Sequence, residues 1–243
     1  MKRFLLTTGF FLSAACFLTF IPYCVAASRP PDHVVLSPFR TLLPALPHSN
    51  PAAGARLTFR RVFKSSTPEF IEITVRDDSD DATYEIRQLD DDSGAAKFQV
   101  SSALRAKMFD LANQLNHFQG QDLDVHRKIA NLGEKTFRWE QGGQAYEVKF
   151  NYTLNSAATQ LLQIFEGLAR QQELLSLLER RMKYDRLGIN DALLQFESEL
   201  NRNLLPEPKR ALPTLDQIAS DARFVEIGRQ RARALADRIR RQG

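Results

Sequence analysis

Both cysteines of the chain, Cys16 and Cys24, fall within its first 27 residues, and nothing after them carries a thiol. Lys2 and Arg3 form a positive start, and Phe4 to Ala27 follows without a charge. Pro22 interrupts the apolar run near its end, and Val25-Ala26-Ala27 supplies the small residues behind which a signal peptidase cuts. This is the order of an export signal. Residues 1–27 therefore read as a signal peptide, with an uncleaved anchor through residues 4–27 as the alternative, because about 20 apolar residues can span a bilayer. A lipid-anchored reading at Cys16 fits less well, since Ser13 stands where a branched apolar residue is usual. The expected location is extracytoplasmic, periplasmic or secreted. Such compartments permit disulfides, yet the exported part has no cysteine to form one. It has to fold on its hydrophobic core alone, with no thiolate nucleophile and no thiolate metal ligand.

The remaining length suffices for one such core. The composition, 43% hydrophobic and 26% charged, suits a packed and soluble domain. The net charge of +4 is unevenly spread. Arg223 to Gly243 holds seven arginines against Glu226 and Asp237, so the body before it is slightly acidic once the signal is removed.

Residues 28–54 contain Pro30, Pro31, Pro38, Pro44, Pro47 and Pro51. Proline fixes φ and removes a donor, so this stretch reads as an extended spacer. A domain with a helical extension is expected over 55–205, and an arginine-rich helix over 206–243. Within the domain, Leu57 to Phe63, Glu69 to Val75 and Thr83 to Gln88 alternate apolar and polar residues as strands do, and Phe98 with Val100 suggests a short extra strand. Ser101 or Ser102 caps a helix carrying Leu104, Met108, Leu111, Leu115 and Phe118 on one stripe. Phe137 and Trp139 mark another strand. Gly142-Gly143 closes a hairpin, and Tyr146, Val148, Phe150 and Tyr152 return inward. A second helix starts at Asn155 or Ser156 and runs to Leu187, with Gly188 as its cap and Asn190 opening the next helix. The fold class is α+β: a small antiparallel sheet in a ββα-ββα order covered by helices, with helical C-terminal extensions. Thr214 and Gln217 box the start of a final helix, which beyond Arg229 is so polar that it should project or fray.

Chemistry is sparse. The chain lacks a G-x-S-x-G elbow, an H-E-x-x-H pair and a glycine-rich phosphate loop. If Asp122 to His126 were extended, Asp122, Asp124 and His126 would face one way and suit a divalent metal, although a solvated loop explains the same residues. Asp77-Asp78-Ser79-Asp80-Asp81 and Asp90-Asp91-Asp92-Ser93-Gly94 are rich in oxygen ligands but depart from the twelve-residue calcium loop, and read as polar turns. Tyr184-Asp185-Arg186-Leu187-Gly188 reads as a helix end anchored by Leu187, with a binding edge at Tyr184 and Arg186 as the alternative. No catalytic, cofactor or metal residue is assigned, and no cofactor is implied. Arg229, Arg231, Arg233, Arg238, Arg240 and Arg241 are the candidate contact residues, toward an acidic protein partner or an anionic membrane surface. Nucleic acid is not expected of an exported chain without a recognition motif.

The layout of Phe70 to Phe118 followed by Thr136 to Ala169 resembles bacterial exported proteins. With the hairpin Trp139-Glu140-Gln141-Gly142-Gly143, it is also similar to emfourin-type inhibitors of thermolysin-like proteases. The function expected is a non-enzymatic binding or envelope-associated module. A protease-inhibitor-like domain is the first alternative, and a carboxylate-dependent hydrolase the second.

Overall fold

A computed structural model describes residues 54–242; the expected signal peptide and nearly all of the proline-rich spacer lie outside the described residues. The described residues are α+β, with a six-stranded antiparallel sheet and five α-helices. The strands are β1 (Arg56–Val62), β2 (Phe70–Arg76), β3 (Asp81–Arg87), β4 (Ala96–Gln99), β5 (Glu134–Gln141) and β6 (Gln144–Phe150), in the order β4-β3-β2-β1-β5-β6. The helices are α1 (Ser102–Gln114), α2 (Ser156–Tyr184), α3 (Ile189–Asn201), α4 (Leu212–Ser220) and α5 (Glu226–Arg241). All four stretches read as strands before the first helix are strands, so the order before α1 is four strands rather than the two of a ββα unit; the shortest, β4, pairs with β3.

Alternation sets the register. Phe59 pairs with Ile73 on one side and Phe137 on the other, and Ile73 continues to Tyr84 and Phe137 to Val148. These side chains fill one face of the sheet. They share a buried cluster with Met108 and Leu111 of α1 and Leu161, Phe165 and Leu168 of α2. Aromatic rings thread it: Phe59 stacks on Phe165 at 5.2 Å and Phe118 on Phe137 at 5.4 Å. Phe118 reaches that position from a short 3-10 turn in which Asn116, His117 and Phe118 all have positive φ, a conformation non-glycine residues rarely adopt. His117 stacks on Trp139 at 4.1 Å across this turn. The other face of the sheet is polar: Thr83, Thr74, Thr58, Arg138 and Glu147 form one cross-strand row.

A second buried cluster is helical. It gathers Leu178 of α2, Leu193 and Phe196 of α3, Leu215 and Ile218 of α4, and Leu235 and Ile239 of α5. Helix α2, about 44 Å long at 1.5 Å per residue, belongs to both clusters. The expectation of a frayed final helix is thus corrected. Ala232, Leu235, Ala236 and Ile239 form a narrow buried stripe among the arginines of α5. The C-terminal region also holds two helices where one was expected, because Asp221 accepts the N–H of Arg223 at 2.9 Å and turns the chain between them.

Three local expectations change as well. Helix α2 ends at Tyr184 with Asp185 as its cap, and Gly188 precedes α3, so Gly188 does not close α2 and Asn190 lies within α3. Leu187 is exposed rather than an anchor. Tyr152 lies past the end of β6 and is exposed, because the strand stops at Phe150.

Candidate functional site

The feature that departs most from a plain packed fold is the connection from the 3-10 turn to β5. Leu123 is buried and anchors it, and every residue from His126 to Leu132 is exposed. The stretch His126-Arg127-Lys128-Ile129-Ala130-Asn131-Leu132 pairs basic residues with two exposed aliphatic ones, Ile129 and Leu132.

Its backbone is held from within. One carboxylate oxygen of Asp124 accepts the N–H groups of Asn151 at 2.8 Å and Tyr152 at 3.2 Å, and the N–H of Val125 donates to the carbonyl of Tyr152 at 3.1 Å. Asn151 accepts the N–H of Leu132 at 2.7 Å and donates to the carbonyl of Ala130 at 2.9 Å. The Lys135 ammonium donates to the carbonyls of Leu132, Gly133 and Asn151 at 3.1, 3.3 and 2.8 Å. Those three acceptors match its three donors, and burial pushes its pKa down. Gly133 has φ +88 and lies so close to Phe63 that a Cβ would meet that side chain at 2.7 Å. Only glycine fits there.

Beside the loop is a cavity of about 480 Å³ whose lining includes Leu132, Lys135, Tyr152, Leu154, Leu162 and Glu166. Leu132, Tyr152 and Leu154 are exposed at this site. A loop with aliphatic tips beside a partly apolar hollow can grip a partner's side chain.

The structure brings Asp122, Asp124 and His126 together in this loop, in a geometry that suits an ion pair. Nε2 of His126 lies 2.6 Å from Asp122, while Nδ1 faces Asp124 at 3.8 Å. The carboxylates thus address two different ring nitrogens, so one ion could not take all three in this arrangement. Hydrogen bonding to Asp122, aided by its charge, pushes the His126 pKa up, and Asp122 in turn is held below the usual carboxylate range. Among the described residues, no group of three histidine, cysteine, aspartate or glutamate residues could hold a metal ion.

The acidic turns are occupied by their own neighbours. Asp78 binds Arg76 and accepts the N–H of Gly54, and the hydrogen bond to Arg76 pulls its pKa to about 2. Asp80 pairs with Arg105, and Asp91 accepts the N–H of Ser93.

The candidate arginines of α5 mostly pack that helix onto its neighbours. Arg231 binds Glu197 and Asn190 of α3, Arg238 binds Asn201, and Arg240 binds Asp216 of α4. Arg229 pairs with Glu226, and Arg233 donates to the carbonyl of Ala219 at 3.4 Å. Among the described residues, Arg241 alone of the six has no such partner.

Two glutamates share a hollow between α2 and α3. Glu199 is paired with Arg170 and Arg202. Desolvation pushes the Glu173 pKa up, although its exposed surface limits that push. Arg170 acts on both carboxylates, which makes the group an ion network between helices.

Lys135 and Asn151 were missed in the sequence. The signal was present for Lys135: its position places it on the inward face with Phe137 and Trp139, where a charge needs a partner. No protein-family model matches the chain, and no curated protein matches it significantly.

Proposed function

We propose that the chain is an exported, non-enzymatic binding module, its sheet covered by helices, and that it engages a protein partner through His126–Leu132 together with Tyr152 and Leu154. The observation that carries this reading is the pinned loop: an exposed apolar and basic stretch held at Ala130 and Leu132 by Asn151 and Lys135, while Asp124, just before it, binds the backbone of Asn151 and Tyr152. Holding a contact surface in one shape before binding reduces the entropy lost on association. Export follows from the charge and apolar pattern of residues 1–27.

The test compares the full chain with Ile129→Ser/Leu132→Ser as baits in the native envelope fraction. A partner retained by the parent and lost by an equally folded variant supports the loop. Equal retention overturns it.

The same loop favours a second reading, a protease inhibitor. A surface segment held by side chains on its inner flank, as Ala130 and Leu132 are by Asn151 and Lys135, is what a protease needs in order to bind a chain without releasing it. Titration of a thermolysin-like protease with the intact chain should then give stoichiometric inhibition that Lys135→Met weakens. Turnover unchanged at micromolar chain removes this reading and leaves the first in place.

A further inference from the structure

We propose that the end of the helical unit formed by the α2–α3 turn and the first turn of α5 is a docking surface for an anionic lipid bilayer. Leu187 is 80% exposed, Tyr184 74% and Ile227 58%. They belong to one end of the helical unit. Tyr184 closes α2, and Leu187 stands just before α3. Gly228, next to Ile227, packs on Ile189, where a Cβ would meet the isoleucine at 3.0 Å.

The charges beside them are sorted. Asp185, Asp221 and Glu226 are each taken by an arginine of this same end, namely Arg181, Arg223 and Arg229. Arg180, Lys183 and Arg186 are exposed and have no ion pair among the described residues. Lys183 lies 4.9 Å above the Tyr184 ring. Glu179, a turn back along α2, and Asp191, at the start of α3, are the remaining acids. The positive dipole end of α3 offsets Asp191 in part.

A tyrosine with two exposed aliphatic side chains, on a helix end that also carries exposed Arg180, Lys183 and Arg186, matches the headgroup boundary of a bilayer. The ring and aliphatic groups enter the interface while the cations stay with the phosphates. The shape separates this surface from the loop at the sheet. There, exposed side chains stand beside a hollow that suits a partner's side chain. Here the hollow lined by Met182, Lys183, Asp221, Arg223 and Phe224 among others does not take in Tyr184, Leu187 or Ile227. The inference is independent of the loop proposal.

The test places a tryptophan at position 187 in the full chain. Trp139 is the only native tryptophan and is buried, so it contributes a constant background. With vesicles containing phosphatidylglycerol, L187W emission should shift to the blue, and brominated lipid should quench it. With phosphatidylcholine alone the shift should be at least tenfold weaker at equal lipid. Ile129→Trp, at the other site, should not shift. The readout is local to position 187, so any contribution of residues 4–27 to vesicle binding leaves it interpretable. Water-like emission at 187 in anionic vesicles overturns the proposal, as does an equal shift with neutral lipid. A shift produced by a protein partner and by neither lipid overturns it in favour of a protein interface.

Discussion

The carboxylate of Glu207 accepts the backbone N–H of Ser101 at 2.9 Å across 106 residues of sequence. Ser101 is the N-cap of α1, so a side chain from the loop before α4 completes the capping of a helix in the sheet unit. The backbone N–H of Glu207 in turn donates to the buried Gln171 of α2 at 3.0 Å. Three segments are thereby tied at the seam between the two buried clusters. Glu207→Ala should cost about 2 kcal/mol, the usual worth of a charged hydrogen bond. Urea unfolding measures it, and a change below about 0.5 kcal/mol would show the seam to be held by packing alone.

Gly167 faces the same seam. A Cβ there would meet the carbonyl oxygen of Leu204 at 2.8 Å and the Pro206 ring at 2.8 Å. Alanine gains about 1 kcal/mol of helix propensity, but the clash with a backbone atom and a rigid ring costs about 1–3 kcal/mol. Gly167→Ala should therefore lower the melting temperature. A rise would mean that the loop yields.

Leu235 and Ile239 are buried on α5. Leu235→Ala should cost about 3 kcal/mol, and a chain ending at Ala222 should lose protection in α3 and α4 as well, because all three helices share one cluster. Hydrogen exchange distinguishes this from a helix that merely projects, whose removal would leave α3 and α4 unchanged.

Much of the fold was legible where one face is buried and the other is not. The alternation in Ile71, Ile73 and Val75 translates directly into burial, as do Met108, Leu111, Leu115 and Phe118 of the expected helical stripe, although α1 ends at Gln114 and Phe118 enters the core from the turn that follows. Legibility failed where a short apolar stripe is outnumbered by charge. Ala232, Leu235, Ala236 and Ile239 are too narrow a face to outweigh the arginines between them, and those arginines find acids on other helices that no local pattern reveals. The loop failed for a related reason. Its shape is set by Asn151 and Lys135, partners outside the segment itself.

The loop should respond to pH. His126 has its pKa raised by Asp122, so the support it gives is complete below its ordinary value of 6.5 and fades as the pH rises through the higher folded-state value. Asp122 and Asp124 are lowered, so their support is present above 3.8 and is lost as the pH falls through their depressed values. Amide exchange at His126–Leu132, corrected for intrinsic rates, should be slowest between these limits. His126→Gln should abolish the change above 6.5 and weaken the Asp122 part of the acid limb, while the part that belongs to Asp124, held by the N–H groups of Asn151 and Tyr152, stays in place. An unchanged alkaline limb in the variant would remove His126 from the account.

A photo-crosslinking residue placed at position 129 of the full chain, in its native cell envelope, tests the central claim most directly. Position 230, on the exposed side of α5, serves as the control. The account predicts a discrete protein adduct from position 129 that position 230 does not give. No adduct at 129, or the same adducts from both positions, would contradict it.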